Sequence, residues 1–234
     1  MSENDIKDLV IYDLDGTLVD SAITVTKVLN SMRQSRGLSD LEVTFVRPLT
    51  ALGGNELIKI ALQCESREID KLLSEFRDIY SQVKIGLETV FEEVLETLGT
   101  LKRQGCKLSI CTNKPRHLAI KTLEALKLRS FFDAEVCGGD IQNLKPAPDP
   151  LIELTKKFNI NTSKCCFIGD TVVDYKAADS CGIDFLYYDS GYDKNLDRLY
   201  KPIRITRHSE ALPYILSNPC TIGAYEEGKI HEGC

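Results

Sequence analysis

Two patterns of apolar and polar positions alternate along the chain. Short apolar runs, Leu9-Val10-Ile11-Tyr12, Leu108-Ser109-Ile110-Cys111, Ala134-Glu135-Val136-Cys137, Cys165-Cys166-Phe167-Ile168, Phe185-Leu186-Tyr187-Tyr188 and Ile203-Arg204-Ile205, are separated by longer stretches with helical spacing. The runs are too short for helices and lack in-out alternation, as expected of strands covered on both faces. Strands alternating with helices predict an α/β fold built on a doubly wound parallel sheet. The connecting helices are bounded by local chemistry. Thr89 to Gln104 closes with Gly105, Pro115 to Lys127 opens with proline in its first turn, and Pro150 to Phe158 follows Asp149 as N-cap. Residues 172 to 181 run to Gly182, and Ser209 caps a last short helix.

One segment breaks this rhythm. From Leu18 to about Gly86 there is no strand pattern but three helical ones: Ala22, Val25, Val28, Leu29 and Met32; Leu57, Ile58, Ile60 and Ala61; and Ile69, Leu72, Leu73, Phe76, Ile79 and Tyr80. The expected organisation is therefore a core from 1–17 and 87–220, an inserted all-helical cap at 18–86, and a weakly ordered Gly, Glu and Lys-rich tail at 221–234.

Composition narrows the partners. The chain of 234 residues is 43% hydrophobic, enough for one sizeable core, and 29 Lys+Arg against 35 Asp+Glu give a net charge of −6. Without a basic strip to neutralise phosphates, no nucleic-acid partner is expected. No apolar stretch reaches the roughly 18 residues of a membrane span, and the first residues lack the basic and apolar regions of a signal peptide. The nine cysteines contain no C-x-x-C pair or zinc spacing, so they are expected to be reduced, mostly buried thiols of a cytoplasmic protein. Adjacent Cys165 and Cys166 should point to opposite faces of their strand rather than form a redox pair.

Open parallel sheets bind ligands at the carboxyl ends of their strands. The apolar runs are followed there by Asp13-Leu14-Asp15-Gly16-Thr17, Thr112-Asn113-Lys114-Pro115, Leu144-Lys145-Pro146-Ala147-Pro148-Asp149-Pro150 and Gly169-Asp170-Thr171-Val172-Val173-Asp174. Singly, each could be a turn, a helix cap or a solvated loop. Together they would gather Asp13, Asp15, Asp170 and Asp174 at one sheet edge, where bare carboxylates repel one another. A divalent cation removes that repulsion. Oxygen ligands without His or Cys suit Mg²⁺, whose shell is completed by water and a substrate phosphate. Lys145 and the hydroxyl and N–H groups of Thr112-Asn113 would supply donors for a phosphoryl group. A calcium EF-hand fits poorly, because Gly16 is fourth rather than sixth from Asp13 and no Glu stands at the twelfth position.

D-L-D-G-T-L-V-D-S at 13 to 21, the helical insertion, C-T-N-K-P at 111 to 115, L-K-P-A-P-D-P at 144 to 150 and G-D-T-V-V-D at 169 to 174 together resemble the haloacid dehalogenase superfamily of phosphohydrolases. The resemblance extends in order over nearly the whole chain and implies a Rossmann-like core. It implies that Asp13 is a nucleophile forming an aspartyl phosphate, and that Asp15 is general acid to the leaving group and then base to water. Mg²⁺ would be held by Asp13, the backbone carbonyl of Asp15 and Asp170, with Asp174 in support. Thr112, Lys145 and the backbone of Asn113 would bind the transferring group.

The T-N-K-P motif and a small cap directly after the first motif look most like phosphoglycolate phosphatases, implying a small phosphate monoester as substrate. Leu52-Gly53-Gly54-Asn55 looks like the cap loop facing the site, with Asn55 as a candidate substrate contact and Arg47 and Lys59 nearby as candidate ligands for a substrate carboxylate. His117 is expected to be exposed and without a role. The alternatives are a phosphomutase of the β-phosphoglucomutase type, which usually has a serine-rich second motif, and a non-catalytic phospho-ligand-binding module, which the filled catalytic positions disfavour. A dehalogenase needs no leaving-group acid, so Asp15 argues against one.

Overall fold

The computed structural model describes residues 6 to 193 and 195 to 216, so the expected tail at 221–234 lies outside the described residues. The strands are β1 (Leu9–Tyr12), β2 (Lys107–Pro115), β3 (Ala134–Gly138), β4 (Cys165–Gly169), β5 (Asp184–Tyr188) and β6 (Ile203–Ile205). They form one sheet in the order β3-β2-β1-β4-β5-β6, with every pairing parallel. β1 is central. Tyr12 stands in register with Ile110 on one side and Ile168 on the other. The chain runs outward from β1 to β3, then returns to β4 on β1's other side, placing the topological switch beside the carboxyl ends of β1 and β4.

The helices between these strands are α1 (Ser21–Gln34), α2 (Val43–Thr50), α3 (Gly54–Leu62), α4 (Ile69–Gln82), α5 (Val94–Arg103), α6 (Arg116–Ala125), α7 (Asp149–Phe158), α8 (Val172–Cys181), α9 (Leu196–Tyr200) and α10 (Leu212–Leu216). Alternate strand residues feed two cores. Val10, Tyr12, Ile110 and Ile168 pack with Leu98 and Leu101 of α5 and Leu123 of α6. Leu9, Ile11 and Phe167 pack with Leu151 and Leu154 of α7 and Ala177 and Ala178 of α8. Cys166 joins the first core and Cys165 the second, so the two thiols do lie on opposite faces. All described cysteines are free.

Helices α1 to α4 all fall between β1 and β2. Where the chain leaves the sheet and where it returns lie side by side: Val19 bridges Val90, and the Asp20 amide donates to the Thr89 carbonyl at 2.7 Å. The four helices are tied internally by the buried Arg33, whose Nε donates to the Ser39 carbonyl at 2.6 Å and whose Nη1 reaches the Ala61 carbonyl.

Several boundaries differ from expectation. Helix α2 has no counterpart in the sequence reading, because Pro48 interrupts its apolar period. Helix α5 starts at Val94 rather than Thr89, after a 3-10 turn at Leu87–Thr89 and a left-handed Glu93 with φ 63°. Pro115 ends β2 instead of opening α6, and Asp149 is the first residue of α7 rather than its cap. Helix α9 was not anticipated.

Candidate active site

The site begins with the hydrogen-bond ladder of β1. Its register carries one residue past the strand, where the Asp13 amide donates to the Ile168 carbonyl at 2.9 Å, and this places Asp13 beside the end of β4 and Asp170. Asp174, in the first turn of α8, folds back onto the loop. Its Oδ2 accepts from the Thr171 amide at 3.1 Å and the Thr171 hydroxyl at 2.7 Å, a capping arrangement that orients the other oxygen inward. Asp13, Asp170 and Asp174 are buried, and one oxygen from each lies within 4.8 Å of the others.

Two glycines permit this crowding. Gly16 has φ 84°, and a Cβ there would sit 2.1 Å from Asp170 Oδ2. At Gly169 a Cβ would meet the Asp174 Cβ at 2.6 Å. Any side chain at either position would displace a carboxylate.

Lys145 reaches into the cluster from the loop between β3 and α7. Its Nζ donates to Asp13 Oδ1 at 2.8 Å, Asp174 Oδ1 at 2.6 Å and the Cys111 carbonyl at 2.7 Å, using all three protons. Asn113 clamps the same residue's backbone: its Nδ2 donates to the Lys145 carbonyl at 2.8 Å and its Oδ1 accepts from the Lys145 amide at 3.1 Å. The Thr112 hydroxyl, at the end of the apolar part of β2, accepts from the Lys114 amide at 3.3 Å.

One lysine does not offset three carboxylates. Burial pushes Asp13 up to about 6 despite Lys145, with Asp174 adding to the rise. Asp170 is driven well upward, first by burial and then by Asp174 and Asp13. Lys145 is held above its ordinary value, Asp13 and Asp174 outweighing the opposing effect of burial. Asp170 Oδ1 accepts from the Thr17 hydroxyl at 2.8 Å, whereas Oδ2 is buried without a partner among the described residues. A buried, unpartnered oxygen in a group of three carboxylates is a set of oxygen donors able to hold a hard divalent cation.

Asp15 lies to one side and is less enclosed. Lys114 Nζ donates to its two oxygens at 2.9 and 3.1 Å and to the Tyr80 hydroxyl at 3.1 Å, standing 4.5 Å from the centre of the Tyr80 ring. Sequence reasoning left both residues without a role. Lys114 was visible inside T-N-K-P, while Tyr80 reads as one more apolar position of α4 and carries no separate signal.

Above the cluster is a cavity of about 270 Å³. Its floor includes Asp13, Asp15, Thr112, Asn113, Lys145, Asp170 and Asp174; its roof is built by Gly53 and Gly54, α1 and one face of α4. Arg47 and Asn55 do not line it. Arg47 Nη2 instead donates to Asp20 Oδ2 at 2.6 Å, and the Tyr192 hydroxyl donates to Asp20 Oδ1 at 2.8 Å. Asn55, Lys59 and His117 are exposed. His208, also without a sequence signal, is fully buried behind the first motif, its Nε2 donating to the Thr17 carbonyl at 2.9 Å. Among the described residues no helix is long and apolar enough to cross a membrane.

Comparison with known proteins agrees with this architecture. A phosphoglycolate phosphatase of Rhodobacter capsulatus is 29% identical over 195 residues, covering 81% of this chain and 88% of the relative. One from Psychrobacter arcticus is 30% identical, covering 82% and 87% respectively. The crystal structure of a predicted phosphoglycolate phosphatase from Haemophilus somnus superposes with a TM-score of 0.81 at 25% identity, covering 91% of this chain and 99% of that one. Residues 10–188, which run from β1 through β5 and contain the loops that carry Asp13, Thr112, Lys145, Asp170 and Asp174, match the haloacid dehalogenase-like hydrolase model, and the chain belongs to that family.

Proposed function

We propose that this protein is a Mg²⁺-dependent phosphatase that hydrolyses a small phosphate monoester, 2-phosphoglycolate being the substrate to which the relatives' names point. The observation that carries this reading is the buried cluster of Asp13, Asp170, Asp174 and Lys145, with an unpartnered carboxylate oxygen, opening into a small roofed cavity. Bound by Asp13, Asp170 and the Asp15 backbone carbonyl, with Asp174 behind, Mg²⁺ would offset the carboxylate repulsion and polarise the phosphoryl oxygens.

The chain's own groups divide the remaining work. An Asp13 carboxylate oxygen bonds to phosphorus as the ester P–O bond breaks, and the departing alkoxide takes the proton of Asp15. Asp15, now anionic, takes a proton from water as the water oxygen attacks phosphorus. The bond to Asp13 then breaks, releasing orthophosphate and restoring the carboxylate. Lys145 holds Asp13 Oδ1 and adds positive charge where negative charge develops, while the Thr112 hydroxyl and the Asn113 amide offer donors to the phosphoryl oxygens. Lys114 holds Asp15 in place from the side. Arg47 acts at one remove, fixing Asp20 and through it Tyr192, which does line the cavity; Asn55 has no part in this reading.

Turnover measured over a panel of phosphate monoesters should show orthophosphate release that requires Mg²⁺ and is inhibited by Ca²⁺, whose looser shell misplaces the nucleophile. Full activity in excess chelator would overturn the metal assignment. Absence of release from every monoester would overturn the phosphatase reading.

A further inference from the structure

We propose that Arg77 recognises a carboxylate at the end of the substrate remote from the phosphate and thereby sets the substrate preference. This rests on the phosphatase reading of the cavity floor. Among the described residues three cationic side chains line the cavity: Lys145, Lys114 and Arg77. Lys145 is committed to Asp13 and Asp174, and Lys114 to Asp15. Arg77 alone has no ion-pair or hydrogen-bond partner among the described residues, though it shares the cavity with four carboxylates.

Its placement is fixed by α4. Lys114 Nζ donates to the Tyr80 hydroxyl at 3.1 Å, and Lys121 Nζ holds the end of the helix through the Tyr80 and Val83 carbonyls at 2.9 and 2.5 Å. Arg77 stands one turn before Tyr80, so both project over the floor from one face of the helix. The roof that Arg77 shares is largely apolar, with Val25, Leu57, Leu73 and Phe76 alongside the hydroxyls of Ser21 and Thr50. A hydroxylated tail would find few partners there, whereas a carboxylate would meet a free guanidinium whose planar fork matches its two oxygens. A cavity of about 270 Å³ restricts the choice to short substrates.

The test compares wild type with Arg77→Ala and Arg77→Lys; Arg77 is exposed on its helix, so the substitutions leave the core intact. Turnover is measured on 2-phosphoglycolate and on 2-hydroxyethyl phosphate, which has the same length and a neutral end. Binding of 3-phosphonopropionate and of propylphosphonate, which cannot be hydrolysed, is measured by calorimetry. Arg77→Ala should lower kcat/KM for 2-phosphoglycolate and affinity for 3-phosphonopropionate by about 30- to 100-fold, mainly through KM, and change the neutral ligands less than about threefold. Arg77→Lys should recover part of the loss. Equal losses for anionic and neutral ligands, no loss, or no discrimination by wild type would each overturn the assignment. A protein that binds the phosphonates but turns over no monoester would fail the phosphatase reading alone, because the binding ratio still decides the role of Arg77.

Discussion

The floor and the roof of the cavity are built on different principles. Each charged side chain on the floor has a partner, Lys145 with Asp13 and Asp174, Lys114 with Asp15 and Asp170 with Thr17, and only Asp170 Oδ2 is left over among the described residues of the floor. These residues sit at or beyond the carboxyl ends of adjacent parallel strands, so their convergence follows from the hydrogen-bond ladder. The roof is a helical surface, mostly apolar, with a single cation. Which of its side chains face down depends on how α1, α3 and α4 cross, which no strand register sets. Under the proposed function, chemistry common to many substrates belongs in the floor, and choice among substrates in the roof.

The largest effects expected are in the floor. Asp13→Asn should abolish turnover of every substrate, because an amide is not a comparable nucleophile. Asp15→Asn should release about one equivalent of p-nitrophenol per site from p-nitrophenyl phosphate and then stall with phosphate on Asp13, while alkyl phosphates give almost no burst. Rapid quench with intact-mass measurement checks this; steady turnover with no phosphorylated protein would remove Asp15 from its role.

Next comes Asp170→Asn, which separates stability from function. Relieving the carboxylate repulsion should stabilise the cation-free protein by on the order of 1 kcal/mol. It should also erase any rise in Tm with Mg²⁺ and lower turnover by at least about 100-fold. Thermal melts with and without Mg²⁺ show the first two effects, and a rise in Tm with Mg²⁺ as large as in wild type would contradict the ligand assignment.

Lys114→Met tests a side chain that joins floor to roof, through Asp15 and Tyr80. Loosening Asp15 should lower kcat on alkyl phosphates by about 10- to 100-fold with little change in KM. Unchanged kcat would show that Asp15 needs no such support.

A smaller effect is expected at the back of the floor. Burial pulls His208 down to about 4, so the folded protein resists its protonation while the unfolded chain takes up a proton near pH 6.5. Its contribution to stability is fully present above pH 6.5 and is lost as pH falls toward 4, by at most about 3 kcal/mol. The raised Asp13 acts in the opposite sense, its contribution greatest in acid and lost as pH rises through about 6. Subtracting the denaturation profile of His208→Gln from that of wild type isolates the histidine slope; parallel profiles would refute it.

The smallest effects should follow changes outside the cavity. Arg47→Ala removes a partly exposed ion pair worth about 0.5 to 1 kcal/mol, and Asn55→Ala should fall within about 0.5 kcal/mol of wild type. In a substrate panel both should alter the rank order less than Arg77→Ala does.

Local pattern was enough for the six strands, for most of the helices joining them though not for α9 or for several helix starts, and for the four polar loops, because apolar runs and strand-ending polar residues are properties of a few consecutive residues. Even the positions of Asp13, Thr112, Lys145, Asp170 and Asp174 at one edge follow once the sheet is parallel. Tertiary structure alone decided the rest. Arg47 and Arg77 are equally charged residues on cap helices, yet the packing of α2 turns the first toward Asp20 and that of α4 turns the second into the cavity. Tyr80 and His208 gain their partners across 34 and 191 residues of chain, in Lys114 and Thr17. A helix presents side chains around its whole circumference, so its period tells which face is apolar but not which polar residue at the border of that face will meet the ligand.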